Sequence, residues 1–172
     1  MTILNNLPQV LTHFNLFVDG RGYAGMADEI VLPKLTIKTE DYRAGGMDVP
    51  IPIEMGMEKL EADFTLAEYD SFIIRQFGFQ QGGPIALHAR GALKRHALAV
   101  PVSCHMRGII TELDFGTWKA GDKSQLKFKV YCTYYRYAHA EEVLIEIDAD
   151  NMTRVINGVD QLAAVKAALL RG

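Results

Sequence analysis

The fold of this chain is decided by residues 126–135, which read Leu126-Lys127-Phe128-Lys129-Val130-Tyr131-Cys132-Thr133-Tyr134-Tyr135. Apolar and polar residues alternate here with a period of two, which is typical of a β-strand that buries one face. The even-numbered residues from Leu126 to Tyr134 are predicted to form the buried face. The opposite face carries Tyr131 and Tyr135. It is too aromatic to meet only solvent, so we expect it to contact a neighbouring chain.

Further strand patterns occur on both sides of this segment. They are predicted at residues 14–18, 30–39, 58–66, 85–90, 98–106, 109–115, 126–137 and 143–148. Asp19-Gly20 is a turn signal, and Pro101 places its strand at an edge or a bulge because proline donates no backbone hydrogen bond. The sequence therefore predicts a mainly β (α+β) fold, an antiparallel β-barrel or sandwich, as one domain over residues 1–172.

Two helices are predicted beside the strands. The first follows residue 66, where Thr65-Leu66-Ala67-Glu68 has the spacing of a capping box and Gly78 has the place of a C′ residue. An apolar stripe repeats every four residues at Tyr69, Ile73 and Phe77. The second helix is expected at about residues 160–170, with Asp160 as its N-cap and Arg171-Gly172 at its end. Its stripe is formed by Leu162, Val165 and Leu169.

Residues 40–57 differ from the rest of the chain. Two glycines and two prolines lie among apolar residues in the stretch Tyr42-Arg43-Ala44-Gly45-Gly46-Met47-Asp48-Val49-Pro50-Ile51-Pro52-Ile53. Since Pro50 and Pro52 lack backbone donors, this segment is not a central strand. We expect a long extended loop or hairpin that leaves the domain. A loop that met only solvent would be polar, so its apolar residues predict a covering partner.

Size and composition indicate an ordinary folded domain. The chain has 172 residues, 49% of them apolar, which is enough for a substantial core. The net charge of −3 argues against a dedicated nucleic-acid-binding protein, which normally presents a basic patch. No apolar run is long enough to span a bilayer, and the first residues do not resemble a signal peptide. We therefore expect a protein folded in the cytoplasm, without a membrane anchor.

Residues capable of catalysis or metal binding show no functional spacing. Cys104 and Cys132 lie in strand patterns without a CxxC motif, so buried free thiols are favoured over a disulfide between strands or subunits. The five histidines form no HExxH motif, and no serine lies in GxSxG. Residues 146–150 lack the glycine and the distal glutamate of a calcium loop. The sequence thus predicts no catalytic residue, no cofactor and no metal, and a protein that is not an enzyme.

A set of short segments, in order along nearly the whole chain, carries a resemblance to a known family. In the first half these are Asn15–Gly20, Leu32–Leu35, Thr39–Met47 and Met55-Gly56. In the second half they are Arg107-Gly108, Asp114–Gly116, Lys119–Gly121, Cys132–Tyr135, Ile145–Asp148 and Ile156–Asp160. Each segment alone is a weak signal, and their collinearity makes the match specific. Together they resemble the major tail tube proteins of temperate contractile-tailed phages and of R-type pyocins.

This resemblance implies a structural role. Family members fold as a β-barrel or sandwich with a packed helix, similar to the tube protein of type VI systems. Six subunits form a ring, and rings stack into a hollow tube that a contractile sheath drives through the target envelope. In a phage, double-stranded DNA passes down the bore without specific binding. The implied partners are other copies of the chain and the sheath, tape measure, baseplate and tail terminator proteins, and the implied location is the virion tail, assembled in the host cytoplasm.

Two sets of residues are candidates for roles in such a tube. The apolar loop would cross to the next ring through Tyr42, Arg43, Gly45, Gly46, Met47, Val49, Pro50, Ile51, Pro52 and Ile53. The bore must not hold DNA, so its lining should be neutral or acidic. Such a lining could be supplied by Glu61 and Asp63, or by Glu112 and Asp114. The competing interpretation of these four carboxylates is an ordinary outer surface.

Other functions stay open from the sequence. A tube of an R-type pyocin-like bacteriocin, which carries no DNA, would have the same subunit, and only the presence of capsid genes would separate the two. A monomeric β-barrel that binds a small apolar ligand is a different class, and it leaves the apolar loop unexplained. A sizing column distinguishes it from a tube subunit.

Overall fold

The computed structural model describes residues 7–78 and 83–169. The strands within these ranges are β1 (Val10–Val18), β2 (Arg21–Gly22), β3 (Ala27–Val31), β4 (Ile37–Tyr42), β5 (Ile51–Met57), β6 (Leu60–Leu66), β7 (Ile85–Arg95), β8 (Leu98–Asp114), β9 (Leu126–His139), β10 (Glu142–Asp148), β11 (Thr153–Ile156) and β12 (Val159–Asp160). Two short helices accompany them, α1 (Ser71–Arg75) and α2 (Ala163–Ala168). Neither is long and apolar enough to cross a bilayer.

Strand β9 is the centre of a branched antiparallel sheet. Ten strands belong to this sheet, and its main path runs β12-β11-β10-β9-β8-β7-β1-β2. One edge of β9 pairs with β8, while the other pairs first with β6 and then with β10. Strand β3 joins through β6. Strands β4 and β5 form a separate two-stranded sheet. The predicted mainly β antiparallel architecture is confirmed.

The core lies between the β9–β6 branch and the β8–β7–β1 strands. Its largest fully buried side chains come from strands on both sides, with one from α1: Leu16, Phe64, Ile73, Leu87, Met106, Ile110 and Phe128. The rings of Phe64 and Phe128 stack across the β6–β9 pair with centroids 5.0 Å apart. The predicted alternation is confirmed in β6, where Leu60, Ala62, Phe64 and Leu66 are buried. Burial of such side chains contributes roughly 1.5–3 kcal/mol each.

Two β-bulges change the expected strands around β8 and β9. Residues 98–106 and 109–115, predicted as separate strands, form the single strand β8. The register shifts between Arg107 and Gly108, which leaves Thr133 of β9 unpaired. Because an extra residue reverses the side-chain alternation, Tyr135 is buried and Tyr134 faces outward. The prediction for these two tyrosines was therefore wrong, although the alternation from Leu126 to Cys132 is confirmed.

Three other boundaries differ from the predictions. The expected strand 30–39 is interrupted after Val31, where proline at position 33 donates no ladder bond, and β4 begins at Ile37. The capping box is wrong because Thr65 stays in β6, paired with Glu29 and with β9. Asp70 caps α1 instead: its Oδ1 accepts hydrogen bonds from the backbone N–H of residues 72 and 73.

The predictions for the last helix and for the strand that contains Pro101 are also corrected by the structure. Helix α2 begins at Ala163, whereas Asp160 belongs to β12 and accepts a hydrogen bond from Leu162 N. The predicted closing residues, Arg171-Gly172, lie outside the described ranges. Strand β8 is not an edge strand. Pro101 is tolerated there because the ladder with β9 starts one residue later, at Val102.

Candidate assembly surfaces

The β4–β5 hairpin is built around a tight glycine turn. Met47 N donates to Ala44 O at 3.1 Å, and Arg43 Nε donates to Met47 O at 3.1 Å. Gly46 has a φ of +92°, a conformation that other residues rarely adopt. The register pairs Tyr42 with Ile51 across the hairpin. Pro52 is compatible with β5 because this strand pairs on one side only. The expected extended segment at residues 40–57 is thus a two-stranded hairpin.

The hairpin exposes most of its apolar side chains. Large apolar residues that are 48–70% exposed are Tyr42, Val49, Ile51, Ile53 and Met55. The two strands pair with each other and with no other strand among the described residues. A contiguous exposed apolar surface of this kind is typical of an interaction site.

An ion pair fixes one face of the hairpin to the rest of the subunit. Arg154 of β11 is only 7% exposed, and its guanidinium donates to the Glu54 carboxylate of β5. Glu58 N also donates to Thr36 O at the base of the hairpin. The opposite face, which carries Glu40, Tyr42, Ile51 and Ile53 by the cross-strand register, points away from this contact. The apolar face therefore stays free in the isolated subunit.

The four acidic residues predicted to line a bore share one sheet face with lysines. Cross-strand pairing places Asp63 beside Lys129, and Lys129 beside Glu112. Asp114 is likewise opposite Lys127. Glu61 forms an ion pair with Lys59, with 2.7 Å between Lys59 Nζ and Glu61 Oε1. The hydrogen bond from Lys59 lowers the pKa of Glu61. The structure thus brings the acids together, and it adds lysine neighbours that the sequence pattern did not predict.

Strand β1 carries a second exposed edge, which was not predicted from the sequence. It begins at Val10, four residues earlier than predicted, and among residues 7–78 and 83–169 only β2 pairs with its outer edge, at Phe17 and Val18. The uncovered part includes exposed Val10 and Leu11. An unpaired strand edge with apolar side chains is a site for pairing with another chain. The apolar pair Val10-Leu11 was the signal available in the sequence.

The described residues hold no arrangement suited to catalysis or metal binding. No group of three or more His, Cys, Asp or Glu side chains within residues 7–78 and 83–169 could bind a metal ion. Cys104 and Cys132 are free and buried, as predicted, and burial raises the pKa of each thiol to about 12. Thiols with such a pKa are poor nucleophiles at neutral pH.

Comparison with known proteins identifies the family of this chain. The family described as "Phage tail tube protein FII" matches residues 8–169. The tail tube protein of Escherichia phage P2 is 34% identical over 161 residues, covering 91% of this chain and 94% of that protein. The major tail tube protein of Serratia phage KSP20 is 31% identical over 147 residues, covering 84% of this chain and 85% of that protein.

Solved structures show the same fold at much lower identity. A chain of the extended sheath-tube complex of an extracellular contractile injection system, PVC, aligns with a TM-score of 0.61 and 10% identity, covering 79% of this chain and 95% of that one. The tube-terminating cap of the anti-feeding prophage aligns with a TM-score of 0.62 and 9% identity, covering 77% and 92%. The family match over residues 8–169 and the two relatives above 30% identity show that the chain belongs to the phage tail tube protein family.

Proposed function

We propose that this chain is the repeating subunit of the inner tube of a contractile tail. Six copies close a ring, and rings stack into a hollow tube that sheath contraction drives through the target envelope. The observation that carries the proposal is the β4–β5 hairpin, whose apolar face is uncovered in the isolated subunit. Burial of five large apolar side chains stabilises a stacked ring by several kcal/mol per hairpin.

The hairpin is the contact between successive rings in this proposal. Its glycine turn and its proline-containing strand give it a defined shape, and the Arg154–Glu54 ion pair sets its direction. A segment that is ordered before binding loses little conformational entropy on docking. Lateral contacts within a ring use the uncovered edge of β1, because sheets that continue from subunit to subunit leave no open edge.

The sheet face with Glu61, Asp63, Glu112 and Asp114 lines the bore in this proposal. These four carboxylates, that of Glu29 on the same face, and the lysines at positions 59, 127 and 129 leave about two net negative charges per subunit on this face. A DNA duplex carries about one negative charge per 1.7 Å, so a weakly negative wall does not hold it. Salt screens the remaining repulsion beyond about 8 Å.

The partners in the assembled particle follow from this role. The tube contacts the sheath along its outside, the tape measure protein and then double-stranded DNA on its inside, and the baseplate and terminator proteins at its ends. Assembly takes place in the host cytoplasm, and the mature location is the virion tail. A bacteriocin tube would use the same subunit surfaces without DNA in the bore.

Electron microscopy of the purified protein at high concentration, with a sizing column, tests the tube role. The wild-type chain is expected to form rings or tubes. The double variant V49D/I51D is expected to stop ring stacking, because each aspartate would be buried without a partner in the docked hairpin. Leu98→Asp is the matched control, since Leu98 is also highly exposed and lies outside the hairpin.

Each result decides a different part of the proposal. A wild-type chain that stays monomeric at every concentration and with added tube ends contradicts the tube role and favours the ligand-binding barrel. Tubes formed equally by V49D/I51D contradict the stacking role of the hairpin alone. For the bore, virions with D63K/E112K are expected to eject DNA more slowly, and unchanged ejection would contradict a lumenal position of these acids.

A further inference from the structure

A groove on the outward face of β7, β8 and β9 is lined by basic and aromatic side chains. Cross-strand pairing forms the row Phe17, His88, His105 and Arg136 across four strands. The two imidazole rings stack with centroids 3.7 Å apart. Arg90 donates from Nε to His88 Nε2 at 3.3 Å, and Arg107 lies over the Tyr134 ring. The apolar part of the lining consists of Phe17, Ala86 and the ring of Tyr134.

The groove carries three arginines, Arg90, Arg107 and Arg136, that form no ion pair among the described residues. Burial, with His105 and Arg90 as neighbours, lowers the pKa of His88 to about 4, so its ring is neutral at pH 7. Three carboxylates border the groove: Asp19 accepts a hydrogen bond from Ala86 N, Glu146 is opposite Arg136 and accepts one from the Tyr134 hydroxyl, and Asp148 is opposite Tyr134.

The free face of the β4–β5 hairpin has the complementary chemistry. It presents Tyr42, Ile51 and Ile53 beside the carboxylate of Glu40, and Asp48 lies in the connecting turn. Within the part of the chain that the structure describes, neither Glu40 nor Asp48 takes part in an ion pair. The hairpin thus combines Tyr42 and aliphatic side chains with acids that form no ion pair. The groove combines the rings of Phe17 and Tyr134 with arginines that form none.

We infer that the β4–β5 hairpin of a second copy docks in this groove, with Glu40 and Asp48 near Arg90 and Arg107. Arginine suits this role because its planar guanidinium binds a carboxylate through two parallel hydrogen bonds. A protruding segment and a distant groove on the same chain make a head-to-tail contact, which propagates from copy to copy. This inference rests on the tube function and names the surface that receives the hairpin.

Two bulges separate this groove from the acidic face proposed for the bore. The register of β8 shifts between Arg107 and Gly108 and again between Ile110 and Glu112. Bulges bend a strand and increase its twist, so the two halves of this long strand need not face the same direction. The hairpin contact and the bore can therefore use different parts of one sheet.

Charge exchange tests the inference in the full-length protein. The critical concentration for tube formation is measured by sedimentation for R90E/R107E, for E40R/D48R and for the combination of all four changes. Each double variant is expected to raise the critical concentration about tenfold or more, and the combination to return it to within about threefold of wild type. K119E/K123E is the matched control, since it makes the same charge change at exposed lysines of the loop between β8 and β9, outside every proposed contact.

Several results would overturn the inference. One is a groove variant whose critical concentration equals that of K119E/K123E. Another is a four-change variant whose critical concentration rises by as much as the increases of the two double variants combined. A third is a groove variant that assembles like wild type but no longer binds a labelled DNA duplex. That result would show that the arginines contact DNA phosphates and not the hairpin. If a reversal variant fails to fold by circular dichroism, R90Q/R107Q replaces it, with an expected rise of about threefold. Wild-type protein that forms no tubes refutes the tube function itself, before any variant is compared.

Discussion

Replacing Gly108 by alanine should destabilise the subunit more than the same replacement at Gly91 or Gly45. A Cβ at Gly108 would lie 2.0 Å from Tyr131 O, 2.8 Å from Tyr131 C and 2.9 Å from Cys132 Cα. All three atoms are backbone atoms of β9, so no side-chain rotation relieves the overlap. Strand β9 cannot move away without disturbing β6, which pairs with Tyr131 and Cys132 on the other side.

The magnitude follows from the size of this overlap. Overpacking that side chains can absorb costs about 1–3 kcal/mol. A backbone overlap of more than about 1 Å, which also breaks ladder pairs of about 0.2–1 kcal/mol each, should cost about 4 kcal/mol or more. This is a large part of the roughly 5–15 kcal/mol that stabilises a typical domain. We therefore expect Gly108→Ala to be mostly unfolded in mild denaturant.

Two other glycines provide graded controls. At Gly91 the added Cβ would meet the side-chain ends of Leu11 at 2.7 Å and Val102 at 3.1 Å, which can rotate, so Gly91→Ala should cost about 1 kcal/mol. At Gly45 nothing lies within 4 Å, and Gly45→Ala should change stability by less than about 0.5 kcal/mol. The free energy of unfolding is measured by denaturant titration with circular dichroism, below the assembly concentration. A loss under about 1 kcal/mol for Gly108→Ala would refute the reasoning.

Three further predictions concern the core, the thiols and the pH dependence of stability. Phe64→Ala removes a fully buried ring that stacks on Phe128 and should lower the free energy of unfolding by about 3–5 kcal/mol in the same titration. Cys104 and Cys132 should not react with a thiol reagent in the folded protein at neutral pH, because burial holds each pKa near 12, and both should react once denaturant unfolds the chain; rapid labelling of the native state would contradict this. The folded pKa of His88, about 4, lies below its ordinary value of 6.5, so the unfolded chain binds the proton first and stability falls as the pH drops from 6.5 towards 4. Since the ring is partly exposed, this loss should be on the order of 1 kcal/mol, and His88→Asn should flatten the profile measured by thermal unfolding.

Alternation of side chains was a sound guide wherever the strands pair regularly. In β6 and in the first half of β9 the predicted buried residues are buried, because each apolar side chain follows the pleat without interruption. Tyr134 and Tyr135 escaped the prediction because Thr133 is left unpaired opposite the Arg107–Gly108 step. A bulge is set by the pairing of two distant segments, and neither segment alone shows it.

The start of the first helix was decided by competition between local capping and strand pairing. Thr65-Leu66-Ala67-Glu68 has the spacing of a capping box, yet Thr65 is held in β6 by ladders on both sides, and the helix begins only after Asp70. Local capping contributes about 1 kcal/mol, which is too little to break a strand paired with two neighbours. Asp160 has a different setting: its strand β12 pairs with β11, and its carboxylate accepts hydrogen bonds from Arg154 N and Leu162 N and forms an ion pair with Lys166.

The assembly surfaces were also predicted only in part from the sequence. The composition of residues 42–53 was enough to predict a projecting apolar segment, because proline and glycine restrict the backbone and exposed aliphatic side chains need a cover. The lysines beside Asp63, Glu112 and Asp114 became visible only with the strand register, which joins residues far apart in the chain. The stacking of His88 on His105 also became visible only with the strand register.

By itself, the sequence determined the β-rich class, the free buried thiols, the projecting segment and the family resemblance, since these depend on local periodicity, composition and collinear motifs. Only the tertiary structure decided which strands pair, where the bulges reverse the faces, and which charges become neighbours. The physical reason is that register joins segments distant in sequence, and a shift of one residue moves every following side chain to the other face of the sheet.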